Sequence, residues 1–112
     1  MKANTRADRA AAKLAIAVAG YGLGIDAAEI SGPTRGSAPI AFARQVAMYL
    51  AHVAFEMSLN RVAIAFDRDR STVGHACHLI EDRRDGVDFD DWIEGLESML
   101  REAACVRVRE AA

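Results

Sequence analysis

The sequence predicts an all-α domain of five or six helices, and three observations carry that prediction. Apolar residues recur at spacings of three and four rather than two, the mark of helices with one face turned to a core. Alanine is abundant and aromatic residues make up only 6%, which suits closely packed helices better than a β-sandwich. The strongest breaks are short runs of glycine, serine, proline and charge, not long polar tracts. The 112 residues suit one domain, residues 1–112, around one modest core, and the 52% apolar content is that of a folded chain.

The first helix covers about residues 6–19, is rich in alanine and ends at Gly20. The start of the chain, MKANTRADRAAAKLAIAVAGYG, has the basic beginning and apolar middle of a secretory leader, but Asp8 and Lys13 fall inside its helical pattern. No uncharged run is long enough to cross a bilayer, and the reading is of a cytoplasmic, nucleoid-associated protein with no membrane partner. A short helix follows near residues 26–30, with Asp26 as its N-cap and Ile25, Ala28 and Ile30 apolar. The loop SGPTRGSAP is the clearest break. Pro39 then suits the first turn of a long helix over about 39–57, striped by Ala43, Val46, Ala47, Leu50, Val53, Ala54 and Met57. Ser58 caps a helix ending near residue 66, in which Leu59, Val62 and Phe66 share a face. After DRDR, Asp69 caps a helix running to about Arg83, with Val73, Ala76, Cys77 and Ile80 inward; Cys77 reads as a reduced core thiol. The turn RDGVD leads to a last helix over about 88–101. Phe89, Trp92, Ile93, Leu96 and Leu100 face inward there, and Asp90, Asp91, Glu94 and Glu97 face outward.

Helices 58–66 and 69–83, joined by a tight turn, make a helix-turn-helix candidate. The second helix opens with arginines where the helix dipole favours acids, which points to a polyanion that stands nearby when they work. At 100° per residue its outer side carries Ser71, Gly74, His75 and His78, with Thr72 at the flank and Arg70 at the tip. These groups suit phosphates and base edges. The net charge of −2 argues against a nucleic-acid partner only as an average: residues 35–84 sum to +2 and residues 85–112 to −5, so the acidic surplus lies in the tail.

The run SLNRVAIAFDRDRSTVGHACHLIE resembles the C-terminal DNA-binding domain of the bacterial replication initiator DnaA. The resemblance rests on Ser58, Leu59, Phe66, Arg68, Asp69, Ser71, Thr72, Val73, His75, Ala76, Ile80 and Glu81, on ARQVAMYL (Ala43 to Leu50), and on YGLGIDAAEI before the loop, spanning about residues 15–83. It implies that the family's minor-groove arginine is Arg44. It also implies that Arg68, Asp69, Arg70, Ser71 and Thr72 read bases and grip phosphates in the major groove, joined by His75. Arg35, Arg61 and His78 complete the candidate DNA-contacting set, with double-stranded DNA as partner. The departures are specific. Arg70 stands for the family's histidine and favours guanine. The single Asp67 replaces a pair of glycines in the turn. Gly74 replaces a large apolar residue, which is expected to let the helix press closer to DNA. Ile64 stands where the family is polar, and the arginine-rich loop is thinned to Arg35. There is no GxxxxGK[ST] loop, so the expectation is a DNA-reading module without an ATPase motor, not an initiator itself. Its expected role is a transcriptional regulator, an activator beside RNA polymerase or a sigma-like protein. Such stand-alone domains also resemble the DNA-binding half of activators of gene-transfer-agent clusters.

The competing readings are plainer. His75 and His78 lack a third ligand for a metal, Ser71 with His75 lacks the surroundings of a nucleophile, and neither enzyme nor cofactor is expected. Arg61, Arg83 and Arg84 also read as solvated surface residues. The rival function is a protein-interaction adaptor with this fold and little DNA affinity, motivated by the negative charge, Ile64 and the thin basic loop.

Overall fold

The structure, a computed structural model, describes residues 5–111, with side-chain surroundings for residues 5–105; the ends of the expected 1–112 domain lie outside the described residues. Its helices are α1 (Thr5–Leu23), α2 (Ala27–Ile30), α3 (Ala38–Ala54), α4 (Leu59–Phe66), α5 (Arg70–Arg83) and α6 (Val87–Ala111), and no strand occurs among the described residues.

The alanine bias explains the packing. On α3, Ala43, Ala47 and Ala51 are fully buried beside Val46 and Leu50, and their small side chains let the neighbouring helices come close. α3 therefore forms the central strut, in contact with all five other helices. α1 lays Ala12, Ala15, Ile16 and Ala19 against it, α5 adds Val73, Ala76 and Ile80, and α6 adds Ile93, Leu96 and Leu100, so that one continuous core results. Trp92 is partly buried and packs on that core, with its ring centroid 5.5 Å from that of Phe89.

The boundaries expected at Asp26 and Ser58 hold. Asp26 Oδ1 accepts from the Ala28 amide at 3.0 Å, and Ser58 Oγ accepts from the Arg61 amide at 3.2 Å. Three others move. α1 does not end at Gly20 but runs one turn further, and Gly24 at φ +68° turns the chain. Gly20 is glycine for another reason: the chain folds back so that the Ile25 carbonyl would lie 2.5 Å from any Cβ there. α3 stops at Ala54 because Glu56 adopts φ +54°. His52 Nδ1 then lies 2.7 Å from the Met57 carbonyl, which holds the proton on that nitrogen and ties off the exit. α6 continues to Ala111, ten residues past the expected end.

Candidate nucleic-acid interface

α4 and α5 form the expected helix pair. α4 closes with Asp67 at φ +55°, and the amides of Asp67 and Arg68 return to the carbonyls of Ile64 (3.2 Å) and Ala63 (3.0 Å). Asp67 thus supplies, with one residue, the left-handed position that a glycine takes most easily; aspartate tolerates it better than most side chains. α5 starts three residues later, at Arg70. Asp69 holds the N-cap position, but its carboxylate makes no capping hydrogen bond, which corrects the cap read from the sequence. Among the described residues no side chain caps the start of α5, where the positive end of the helix dipole lies.

The two faces of α5 separate as the periodicity predicts. Val73, Ala76, Cys77 and Ile80 are buried, and burial pushes the Cys77 thiol up to about 11. Asp69, Arg70, Ser71, Thr72, His75 and His78 are exposed. Among the described residues no hydrogen bond or ion pair holds the side chains of Arg70, Ser71, Thr72 or His75, while His78 lies 3.4 Å from Asp82 one turn on. Gly74 faces α4: an added Cβ would meet only Leu59 Cδ1, at 3.9 Å, so helix packing does not require the glycine.

The remaining arginines are used differently. Arg44 is buried, 5% exposed, and the α2–α3 loop wraps around its guanidinium. Its Nε donates to Ile30 O at 2.8 Å and Nη1 to Arg35 O at 3.0 Å, while Nη2 donates to Gly32 O at 3.3 Å and Glu29 O at 3.4 Å. Arg68, half-buried in the turn, donates to Phe66 O and Asp67 O, both at 3.1 Å, and to Gly32 O at 2.7 Å. Both guanidinium groups thus converge on Gly32 and lock the loop to the helix-turn-helix. Burial, and then the Arg68 charge, lower the pKa of Arg44. Arg61 pairs bidentately with Asp8 on α1, Nε to Oδ2 at 3.0 Å and Nη2 to Oδ1 at 2.7 Å, which holds the Asp8 carboxyl below its usual range. Arg35 is exposed on the loop and lines a cleft of about 380 Å³ with Gln45, Arg44, Arg68 and Thr72, between α3 and the start of α5. The structure therefore gathers Arg35, Arg68, Asp69, Arg70, Ser71 and Thr72 at one end of α5, with His75 and His78 further along it. Arg44 is turned into the fold, and Arg61, its side chain 41% exposed, is held by Asp8.

One cluster escaped the sequence reading. Arg84 is not solvated: it donates to Asp90 at 2.5 Å, to the Tyr49 hydroxyl at 3.0 Å and to Glu97. Tyr49 in turn donates to Glu81 at 2.6 Å. Burial and then the bond to Glu81 push the Tyr49 hydroxyl up to about 12. Burial alone would lower the Arg84 pKa, yet its bonds to Asp90, Tyr49 and Glu97 raise it overall. Glu97 is 5% exposed, so it does not belong to an outward acidic face. Asp90 and Glu97 stand three before Ile93 and Leu100, along the inner stripe of α6, and that spacing was the available signal.

Residues 13–80, more than half of the chain, match the family model described as the bacterial dnaA protein helix-turn-helix. The chain belongs to the bacterial DnaA helix-turn-helix family. With that membership it is a DNA-binding helix-turn-helix domain of the DnaA type, and not a match to an enzymatic family. The crystal structure of a DNA replication initiation factor superposes with a TM-score of 0.77 at 25% identity, over 88% of this chain and 30% of that one. The DnaA-like chain thus spans less than a third of the initiation factor's length. No curated protein matches it in sequence.

Proposed function

We propose that this DnaA-like domain binds double-stranded DNA sequence-specifically and acts as a transcriptional regulator in the cytoplasm, with α5 in the major groove. The observation that carries this is the free tip of α5. Arg70, Ser71, Thr72 and His75 are exposed and unheld, on a helix whose opposite face is locked into the core. Arg70 donates to a guanine edge. Ser71, Thr72 and the first-turn amides take a phosphate, Asp69 accepts from a cytosine amino group, and His75 and His78 extend the contact along the groove. Arg35 and Arg68 flank the adjoining cleft as further phosphate contacts. Arg44 serves from within by holding the loop, and Arg61 braces α4 against α1 at the surface. Ile64, 59% exposed on α4, is the contact for RNA polymerase or a sigma-like partner in activation.

A selection from random duplexes, followed by binding at several salt concentrations, tests this. The expectation is one enriched motif, with affinity falling as about the fourth power of salt for four or five phosphates neutralised. Arg70→Ala should cost about 1–3 kcal/mol and relax preference at one guanine. Affinity that ignores salt, with no enriched motif, refutes the reading. The adaptor alternative draws on one observation: Arg44, Arg61 and Arg68 all spend donors on the protein itself. Retention of polymerase components without any duplex binding would favour it.

A further inference from the structure

The positive surface does not stop at the turn between α4 and α5. A second cleft, of about 220 Å³, lies on the other side of the Arg44–Arg68 pair. Its walls are Arg9 and Lys13 of α1, Ser31 of the loop, Arg44, and Asp67 and Arg68 of the turn. Ile16, Ile30 and Phe66 help to form an apolar floor.

The charge in this cleft is not cancelled. Arg44 and Arg68 donate only to backbone carbonyls, so their hydrogen bonds are satisfied while each full positive charge remains. Arg9 and Lys13 are exposed, and among the described residues no carboxylate pairs with either. The one acid of α1, Asp8, is on another face and already neutralised by Arg61. Arg6 stands three residues before Arg9, so the row Arg6, Arg9, Lys13 runs along one side of α1. Against these cations the cleft holds a single exposed carboxylate, Asp67. Four cations over a low-dielectric floor focus a field that a row of phosphodiesters fits.

We infer that the DNA backbone leaving the α5 tip crosses the turn and continues over α1, where Arg9 and Lys13 neutralise two further phosphates. This inference rests on the DNA-binding reading above and adds a contact surface outside the helix-turn-helix. Such contacts position the duplex and carry no base information.

The test uses the full chain with Arg9→Gln and Lys13→Gln together, both exposed sites, and a duplex carrying the selected motif beside a random duplex. Binding is followed by anisotropy from low to moderate salt, with thermal unfolding as a check on folding and Arg101→Gln on α6 as a remote charge control. The double variant should lower the magnitude of the salt slope by about 2 and weaken both duplexes to the same degree, on the order of tenfold or more at 0.1 M salt. The control should leave the slope unchanged. A salt-dependent wild type with an unaltered slope in the double variant overturns the α1 contact and leaves the parent reading standing. A change in the ratio of motif to random affinity overturns the phosphate assignment. A wild type that binds no duplex at all overturns both.

Discussion

Arg44 separates two ways in which one arginine serves a DNA-binding domain, as a base contact or as a brace. Its guanidinium makes two short charge-assisted bonds, 2.8 Å to Ile30 O and 3.0 Å to Arg35 O, and two long ones, 3.3 and 3.4 Å, that add little. Each short bond is worth about 1.5–3 kcal/mol, and loss of the buried stem adds to that. Water regains part of the loop carbonyls, and removal of the charge relieves desolvation and repulsion from Arg68. The balance is a loss of about 3 kcal/mol for Arg44→Ala. With a urea dependence of about 2 kcal/mol per molar, the unfolding midpoint should fall by roughly 1.5 M. Arg44→Lys should fall between, because one ammonium cannot reach carbonyls spread from residue 29 to residue 35. Amide exchange should rise across the α2–α3 loop in both variants. An Arg44→Ala protein that unfolds at the wild-type midpoint yet no longer binds DNA would show that the side chain works outward, and the bracing argument would fail.

Three other outcomes follow from the packing and the charges. Gly20→Ala, which would stabilise an ordinary helix interior by about 1 kcal/mol, should instead destabilise by about 1–3 kcal/mol, because its Cβ would lie 2.5 Å from the Ile25 carbonyl; chemical denaturation reads the sign. Native protein should expose one fast-reacting thiol, Cys105, while Cys77 waits for unfolding, since it is buried with its pKa raised to about 11; a thiol titration with and without denaturant checks this. The folded pKa of Asp8 is depressed, so its pairing with Arg61 contributes fully above the ordinary value of 3.8 and is lost as pH falls through the folded value. The stability gap between wild type and Asp8→Asn should therefore be steady near neutrality and close in acid, and a gap that widens in acid would contradict the pairing.

The exposed face of α5 was legible because it is periodic. Val73, Ala76, Cys77 and Ile80 repeat at helix spacing, so burying them exposes Ser71, His75 and His78 whatever else the chain does. The caps at Asp26 and Ser58 were legible because each acts on an amide two or three residues away. Gly20 misled, because a glycine inside a helix looks the same in sequence whether it ends the helix or admits a returning strand of backbone. The surroundings of Arg44 were not legible. Its position in ARQVAMYL resembles that of a groove-reading arginine, and nothing in that run shows that its donors meet carbonyls up to 15 residues away.

The sequence by itself determined the helices, the buried stripe of α5 and the exposed run from Asp69 to Thr72, because these are patterns within a turn or two of chain, and membership of the family, because the match runs residue by residue along the chain. Only the tertiary structure decided which arginines remain free. Asp8 meets Arg61 across 53 residues, and Tyr49 meets Glu81 and Arg84 across 32 and 35. A charged side chain is set by whatever oxygen the fold brings within about 3 Å of it, and that proximity exists only after α1 has packed on α4 and α3 on α5.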